Sequence, residues 1–117
     1  MSEAPPLCRR SEDIALMAGG RVRVVGDYVE VDARRRPRPP ARFVGHAAIS
    51  LEDGGRILLE PNWAPAALRS AGERTRFAGR RVEAVGLLWA SSPEPPEPIA
   101  YKTAPCLSPV ESVVAAD

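Results

Sequence analysis

Hydrophobic and polar positions alternate along several short runs of this chain, and proline or glycine interrupts each run. The clearest runs nearly echo each other: Gly20-Arg21-Val22-Arg23-Val24-Val25-Gly26 and Gly79-Arg80-Arg81-Val82-Glu83-Ala84-Val85-Gly86. Each opens on Gly-Arg, passes through β-branched residues and breaks on a glycine. The alternation predicts strands, and a glycine inside a strand predicts a bulge or tight curvature.

The same pattern, followed along the chain, predicts an order of elements. Residues 1–10 read as a flexible arm. Ser11 reads as the N-cap of a short helix over 11–18, with Glu12 and Asp13 in its first turn and Gly19 or Gly20 as its stop. Ile14, Met17 and Ala18 share one face of it and read as core packing. A first strand spans 21–33, with Val22, Val24, Gly26 and Tyr28 on one face and Arg23, Val25, Asp27, Val29 and Val31 on the other. Neither face is purely polar, and Gly26 lets the register switch midway, as in a long bent strand shared by both sides of a barrel. A second strand over 43–51 and a third over 56–60 flank Glu52-Asp53-Gly54-Gly55, a strong hairpin turn. Pro65 opens a helical stretch, and Ser70-Ala71-Gly72-Glu73 has the capping-box pattern, predicting a further turn through Phe77 that Gly79 ends. The fourth strand spans 81–90 and the fifth 99–107. Ser108-Pro109 predicts a last helical turn through about residue 114, leaving 115–117 as a tail. The expectation is a single domain over 11–114.

Composition narrows this picture. A chain of 117 residues with 44% hydrophobic residues can bury a modest single core. Aromatics make up only 5%, so Val, Leu, Ile and Ala must build most of that core. Of the 13 prolines, nine cluster at 5–6, 37–40 and 93–98 and predict stiff loops there. A net charge of +1 provides no global attraction to nucleic acid or membranes. All but one of the 16 basic residues are arginine, the exception being Lys102, which reads as coding bias rather than function. No apolar run approaches the ~20 residues of a membrane span, and no secretory signal opens the chain, so the expected compartment is the cytoplasm. Cys8 and Cys106 read as two reduced, unrelated thiols, with a disulfide as the alternative in an oxidising compartment.

The order strand, strand, strand, helix, strand, strand resembles the OB-fold, a five-stranded Greek-key barrel with a helix between strands three and four. The residues carrying the likeness are 21–33, then Ala48-Ile49-Ser50-Leu51-Glu52-Asp53-Gly54, then Phe77-Ala78-Gly79-Arg80-Arg81-Val82-Glu83-Ala84-Val85-Gly86. The likeness covers about residues 20–107. The fold class expected is therefore mostly β, a small OB-like barrel with short helices. The resemblance implies a binding face on strands two and three, flanked by the loops at 34–42 and 91–98. Fold alone does not establish that function.

Few residues offer chemistry. Arg34, Arg35, Arg36, Arg38 and Arg42 form a basic loop able to neutralise phosphates. Single-strand binders add aromatic platforms, and here Tyr28 and Tyr101 are the candidates for an exposed face, while Phe43, Trp63, Phe77 and Trp89 read as packing residues. Glu94 and Glu97 in the opposite loop would repel phosphate, or would pair with the basic loop. Trp63, between Pro61 and Pro65, either covers the open end of the barrel or anchors a protein partner. The strip containing Pro95 and Pro96 is either a spacer or a polyproline docking strip. His46, the sole histidine, lacks other ligands at metal spacing and reads as a packed residue. Asp27, Asp32, Glu52 and Asp53 form no pair tied to a motif, and Ser50 and Ser70 lie in no nucleophile elbow. No cofactor, metal or catalytic residue is expected. The expectation is a non-catalytic module whose partner is another protein, using Trp63, Arg34, Arg35, Arg36, Arg38, Arg42, Pro95 and Pro96. The alternative is a single-stranded nucleic-acid binder using the same arginines with Tyr28 and Tyr101. A homodimer is compatible with either.

Overall fold

The computed structural model describes residues 4–31, 46–61, 64–91 and 104–116. Their elements are β1 (Leu7–Cys8), α1 (Ser11–Met17), β2 (Arg21–Val31), β3 (His46–Ser50), β4 (Arg56–Leu59), a 3₁₀ turn at Pro65–Ala67, α2 (Ala71–Phe77), β5 (Arg81–Trp89) and β6 (Cys106–Ala115). The fold is mostly β. All six strands belong to one mixed sheet, and its pairings run β2–β3–β4–β6–β5 and return from β5 to β2 as a partial ring.

β2 closes this path because it serves two neighbours in succession. Arg21 to Asp27 pair with β5, and Asp27 to Val31 pair with β3. Its inward face does not change: Val22, Val24 and Tyr28 are all fully buried. The partner changes at Asp27, just after Gly26, and the face does not, which corrects the expected register switch. A Cβ at Gly26 would collide with the Ser50 carbonyl oxygen and with the Ile49 side chain. Gly86 in β5 is held in the same way, since a Cβ there would press on the Pro109 carbonyl oxygen. Backbone this close admits only glycine.

The two echoing segments pair with each other, antiparallel. Val22 faces Gly86, Val24 faces Ala84 and Gly26 faces Val82. The likeness extends into the preceding helices. α1 and α2 each have 7 residues, and each is followed by alanine and then a glycine of positive φ, 91° at Gly19 and 75° at Gly79. The junctions bond reciprocally. Gly19 N–H donates to Leu88 O at 2.7 Å, and Gly79 N–H donates to Tyr28 O at 2.8 Å. Leu88 N–H donates to Gly20 O at 2.9 Å, and Tyr28 N–H donates to Arg80 O at 2.8 Å. Two helix–glycine–strand units thus face each other about a local pseudo-twofold axis.

Inside the ring lie Val22, Val24, Tyr28, Ile49, Ile57, Leu59, Val82, Ala84, Leu88 and Leu107, joined by Phe77 from α2. Each large aliphatic side chain so buried contributes on the order of 2 kcal/mol. The hairpin turn at 52–55 is present, with Leu51 N–H donating to Gly55 O at 2.7 Å between β3 and β4.

Three expectations are corrected. The arm over 1–10 contributes β1, which lies parallel to β2, and Cys8 is fully buried. The N-cap of α1 is Arg10, not Ser11. Ser11 instead turns its hydroxyl and its backbone N–H to Asp53, at 3.1 and 3.0 Å. The stretch expected as a last helical turn is the body of β6, which runs on to Ala115. Val110, Val113 and Val114 are β-branched, and β5 offers a partner edge along the stretch. Pro109 sits where the register shifts, the position a proline tolerates in a ladder. Of the fifth strand expected at 99–107, residues 99–103 lie outside the described residues.

Candidate functional site

Most residues singled out from the sequence lie outside the described residues: Arg34, Arg35, Arg36, Arg38, Arg42, Trp63, Pro95, Pro96 and Tyr101. The strands beside them do show where two of the loops depart. Val31 pairs with His46, so 32–45 leaves from the C-terminal end of β2. Trp89 pairs with Cys106, and Leu87 with Arg21, so 92–103 leaves from the N-terminal end of β2.

Tyr28 is described, and it is not exposed. Its ring is fully buried and lies 6.0 Å from the Phe77 ring, centroid to centroid. It alternates with Asp27 and Val29, and the inward phase of β2 carries it into the core. Its hydroxyl donates to Glu73 Oε2 at 2.7 Å. Burial, and then the bond to Glu73, push the phenol far above the usual tyrosine range.

Glu73 is placed by local sequence. Ser70 caps α2, its hydroxyl accepting the Glu73 N–H at 3.1 Å, as the capping pattern predicted. Its carboxylate meets Arg69 in a two-point contact, with Nε to Oε2 at 2.7 Å and Nη2 to Oε1 at 2.8 Å. Both side chains are largely shielded, about 16% and 17% exposed. Burial by itself would raise the Glu73 carboxyl. The Arg69 guanidinium and the Tyr28 hydroxyl outweigh it, and the net shift is downward. Arg69 is held charged chiefly by its bond to Glu73. Alongside, Arg74 reaches Glu30 at 3.3 Å and the Arg69 carbonyl at 3.2 Å. The cluster is a fully engaged brace: its carboxylates accept from arginines and the tyrosine.

Sequence reasoning missed Glu60, which is buried with a backbone φ of 77°. Its carboxylate accepts the Ser108 hydroxyl and the Val110 N–H, both at 2.7 Å. Its own N–H donates to Leu107 O at 2.9 Å. Glu60 thereby satisfies the backbone of β6 where the ladder is irregular, and Trp89 Nε1 donates to Ser108 O at 2.9 Å nearby. The one available signal was an acidic residue at the end of an apolar strand, directly before Pro61. His46 is buried at the start of β3, as a packed residue would be.

A second polar cluster is exposed. Arg9 and Arg10 bind Glu52 at 2.8 and 3.2 Å, and Asp13 accepts the N–H groups of Arg9 and Arg10 at 3.0 and 3.1 Å. With Ser11 on Asp53, these contacts clasp the N-terminal segment onto the 52–55 turn. Hydrogen bonds from Arg10 and Arg9 lower the Glu52 carboxyl, and backbone N–H groups lower Asp13 and Asp53.

Cys8 and Cys106 are buried and not joined by a disulfide. Burial, assisted by Asp13 and Asp53, pushes the Cys8 thiol up to about 11, so it is protonated and unreactive at neutral pH. Among the described residues no group of three or more His, Cys, Asp or Glu side chains is placed to hold a metal ion. Among them, too, no helix is long and apolar enough to cross a membrane. No protein-family model matches the chain, and no curated protein or solved structure matches it significantly.

Proposed function

We propose that this chain is a non-catalytic binding or assembly module on an OB-like barrel, and that its partner is a protein. The barrel reading is supported by the pairing order β2–β3–β4–β6–β5, with α2 between β4 and β5 in the chain and β4 parallel to β6. In that reading β1 is an addition outside the five-stranded ring. The partner surface lies in the loops carrying Trp63, Arg34, Arg35, Arg36, Arg38, Arg42, Pro95 and Pro96.

The observation that favours a protein over single-stranded nucleic acid is the burial of Tyr28. A base-stacking platform needs an exposed ring, and this ring is committed to the core and to Glu73. The nucleic-acid reading then keeps only Tyr101 as an aromatic partner for the arginines.

The test has two arms. Fluorescence anisotropy with a labelled strand of ~20 nucleotides, at low and physiological salt, is expected to show no binding. Cross-linking in cell extract with mass spectrometry is expected to capture one protein with the wild type and to lose it with Trp63→Ala or with the triple Arg34→Ala, Arg35→Ala, Arg36→Ala. Micromolar strand binding that weakens steeply with salt, with a slope flattened by the triple variant, would reverse the assignment.

A further inference from the structure

Among the described residues, β6 carries an open edge. Its inner edge pairs with β5 along most of its length, but β4 reaches its outer edge only at Cys106 and Leu107. Glu60 covers the next outward group, the Val110 N–H. Beyond that point no strand among the described residues pairs with the outer edge.

The hydrogen-bond phase of this edge follows from the ladder. Ala116 N–H donates to Arg81 O at 3.0 Å, and the register continues as Ala115 opposite Val82, Val114 opposite Glu83 and Val113 opposite Ala84. In an antiparallel ladder, bonded and non-bonded pairs alternate. Val114 therefore bonds inward to β5, and Val113 and Ala115 present their N–H and C=O groups outward. The side chains alternate as well. Val113 packs against the core, while Val114 stands on the outer face and is 49% exposed.

We infer that this edge is a self-pairing surface and that its occupant is a second copy of the chain. An antiparallel twofold centred on Val114 places Val113 opposite the Ala115 of a second copy, and Ala115 opposite its Val113. Both pairs are then hydrogen-bonded, and all four outward backbone groups are used. The same operation sets Val114 against Val114 as a non-bonded pair, the geometry in which facing side chains come closest. The centre of the pairing, 112–115, points to the same occupant. Glu111, the acidic residue of β6, is paired at 2.7 Å with Arg21 of its own chain. Ser112, Val113, Val114 and Ala115 are neutral, so the edge complements a neutral strand such as itself, not an acidic or basic peptide. Natural edges are usually blunted by lysine, proline or an inward charge, and none of these occupies 112–115. This contact is separate from the loop surface proposed above, and neither depends on the other.

Sedimentation equilibrium of the full chain tests it, over loading concentrations of about 10 µM to 1 mM, the range suited to a small interface. The wild type is expected to show a monomer–dimer equilibrium. Val114→Lys and Val114→Glu, at an exposed position and with circular dichroism as the check that each variant folds, are each expected to weaken it about tenfold by setting like charges face to face. An equimolar mixture of the two variants is expected to recover association. A wild type monomeric throughout overturns the inference and leaves the edge to another extended segment. A dimer indifferent to Val114→Lys, or variants that fail to associate on mixing, overturns it as well.

Discussion

The two helix–glycine–strand units share a skeleton and differ in how each is fastened. In the second unit, Glu73 in the first turn of α2 faces inward and joins Tyr28 and Arg69 in a shielded brace. Asp13 holds the matching place in α1 and faces its own backbone, capping the N–H groups of Arg9 and Arg10. Opposite α1, the residue matching Tyr28 is Leu88, which has nothing polar to offer a helix acid. One tyrosine hydroxyl therefore decides which helix is tied to the core by polar contact. α1 relies on its partly buried Ile14 and Met17 and on solvent-exposed charge contacts with the 52–55 turn. Shielded pairs are strongly coupled to the fold, whereas exposed ones are screened.

The sharpest test of the shared skeleton is at the two crossing glycines. Gly26→Ala and Gly86→Ala each drive a methyl group into a backbone carbonyl that cannot swing aside. Each is expected to destabilise the protein by about 3 kcal/mol in urea unfolding. If only one does, the twofold likeness stops at the sequence. Next comes the contrast between the acids. Glu73→Ala strands the Arg69 guanidinium and the Tyr28 hydroxyl and is expected to cost about 2 kcal/mol. Asp13→Ala is expected to shift the same unfolding midpoint far less, and equal shifts would erase the distinction.

The alkaline limb sharpens it further, since burial sets it. A thiol whose folded pKa is raised above its unfolded value holds more protons in the folded state. Its contribution is complete below about pH 9 and is lost as pH rises to about 11. The raised Tyr28 phenol acts in the same direction. Stability is therefore expected to fall above pH 9, and Cys8→Ala is expected to flatten the first part of that fall in unfolding curves at stepped pH. The smallest effect belongs to the clasp. Glu52→Gln is expected to lower the melting temperature slightly at low salt and not at all in ~1 M salt, where exposed charges are screened.

Much of this was legible in the sequence wherever a local rule was sufficient. The alternation in 21–31 and 81–89 marks strands, Glu52-Asp53-Gly54-Gly55 marks a hairpin, and Ser70 with Glu73 marks a helix start. What escaped depended on distant partners. Leu7 and Cys8 carry no strand signal until β2 offers them an edge. Val110 to Ala115 sit behind a Ser-Pro pair that mimics a helix start, and only β5 makes them a strand. Ser11 looks like a cap, yet Asp53 on a remote turn claims its hydroxyl. Tyr28 shares the alternation of Val22 and Val24, so its inward phase was readable. Its burial conflicts only with the expectation of Tyr28 on an exposed face. The candidate loops lie beyond the described residues, so their arginines, Trp63 and Tyr101 stand as the sequence presents them.

The reciprocal pairing of β2 with β5 also bears on how the molecule opens and closes in time. β2, β3 and β4 follow one another and can assemble as a meander, but β5 must return across the whole intervening chain to reach β2. Contacts this distant in sequence make for slow folding, in milliseconds to seconds rather than microseconds. They also bind the two strands into a single cooperative unit. In native-state hydrogen exchange, the amides of Val22, Val24, Gly26, Val82, Ala84 and Gly86, which bond across the β2–β5 seam, should be released together and last, only when the entire domain unfolds. Leu7 and Cys8, held by one short parallel contact, should exchange far earlier through a local breath of the N-terminal segment.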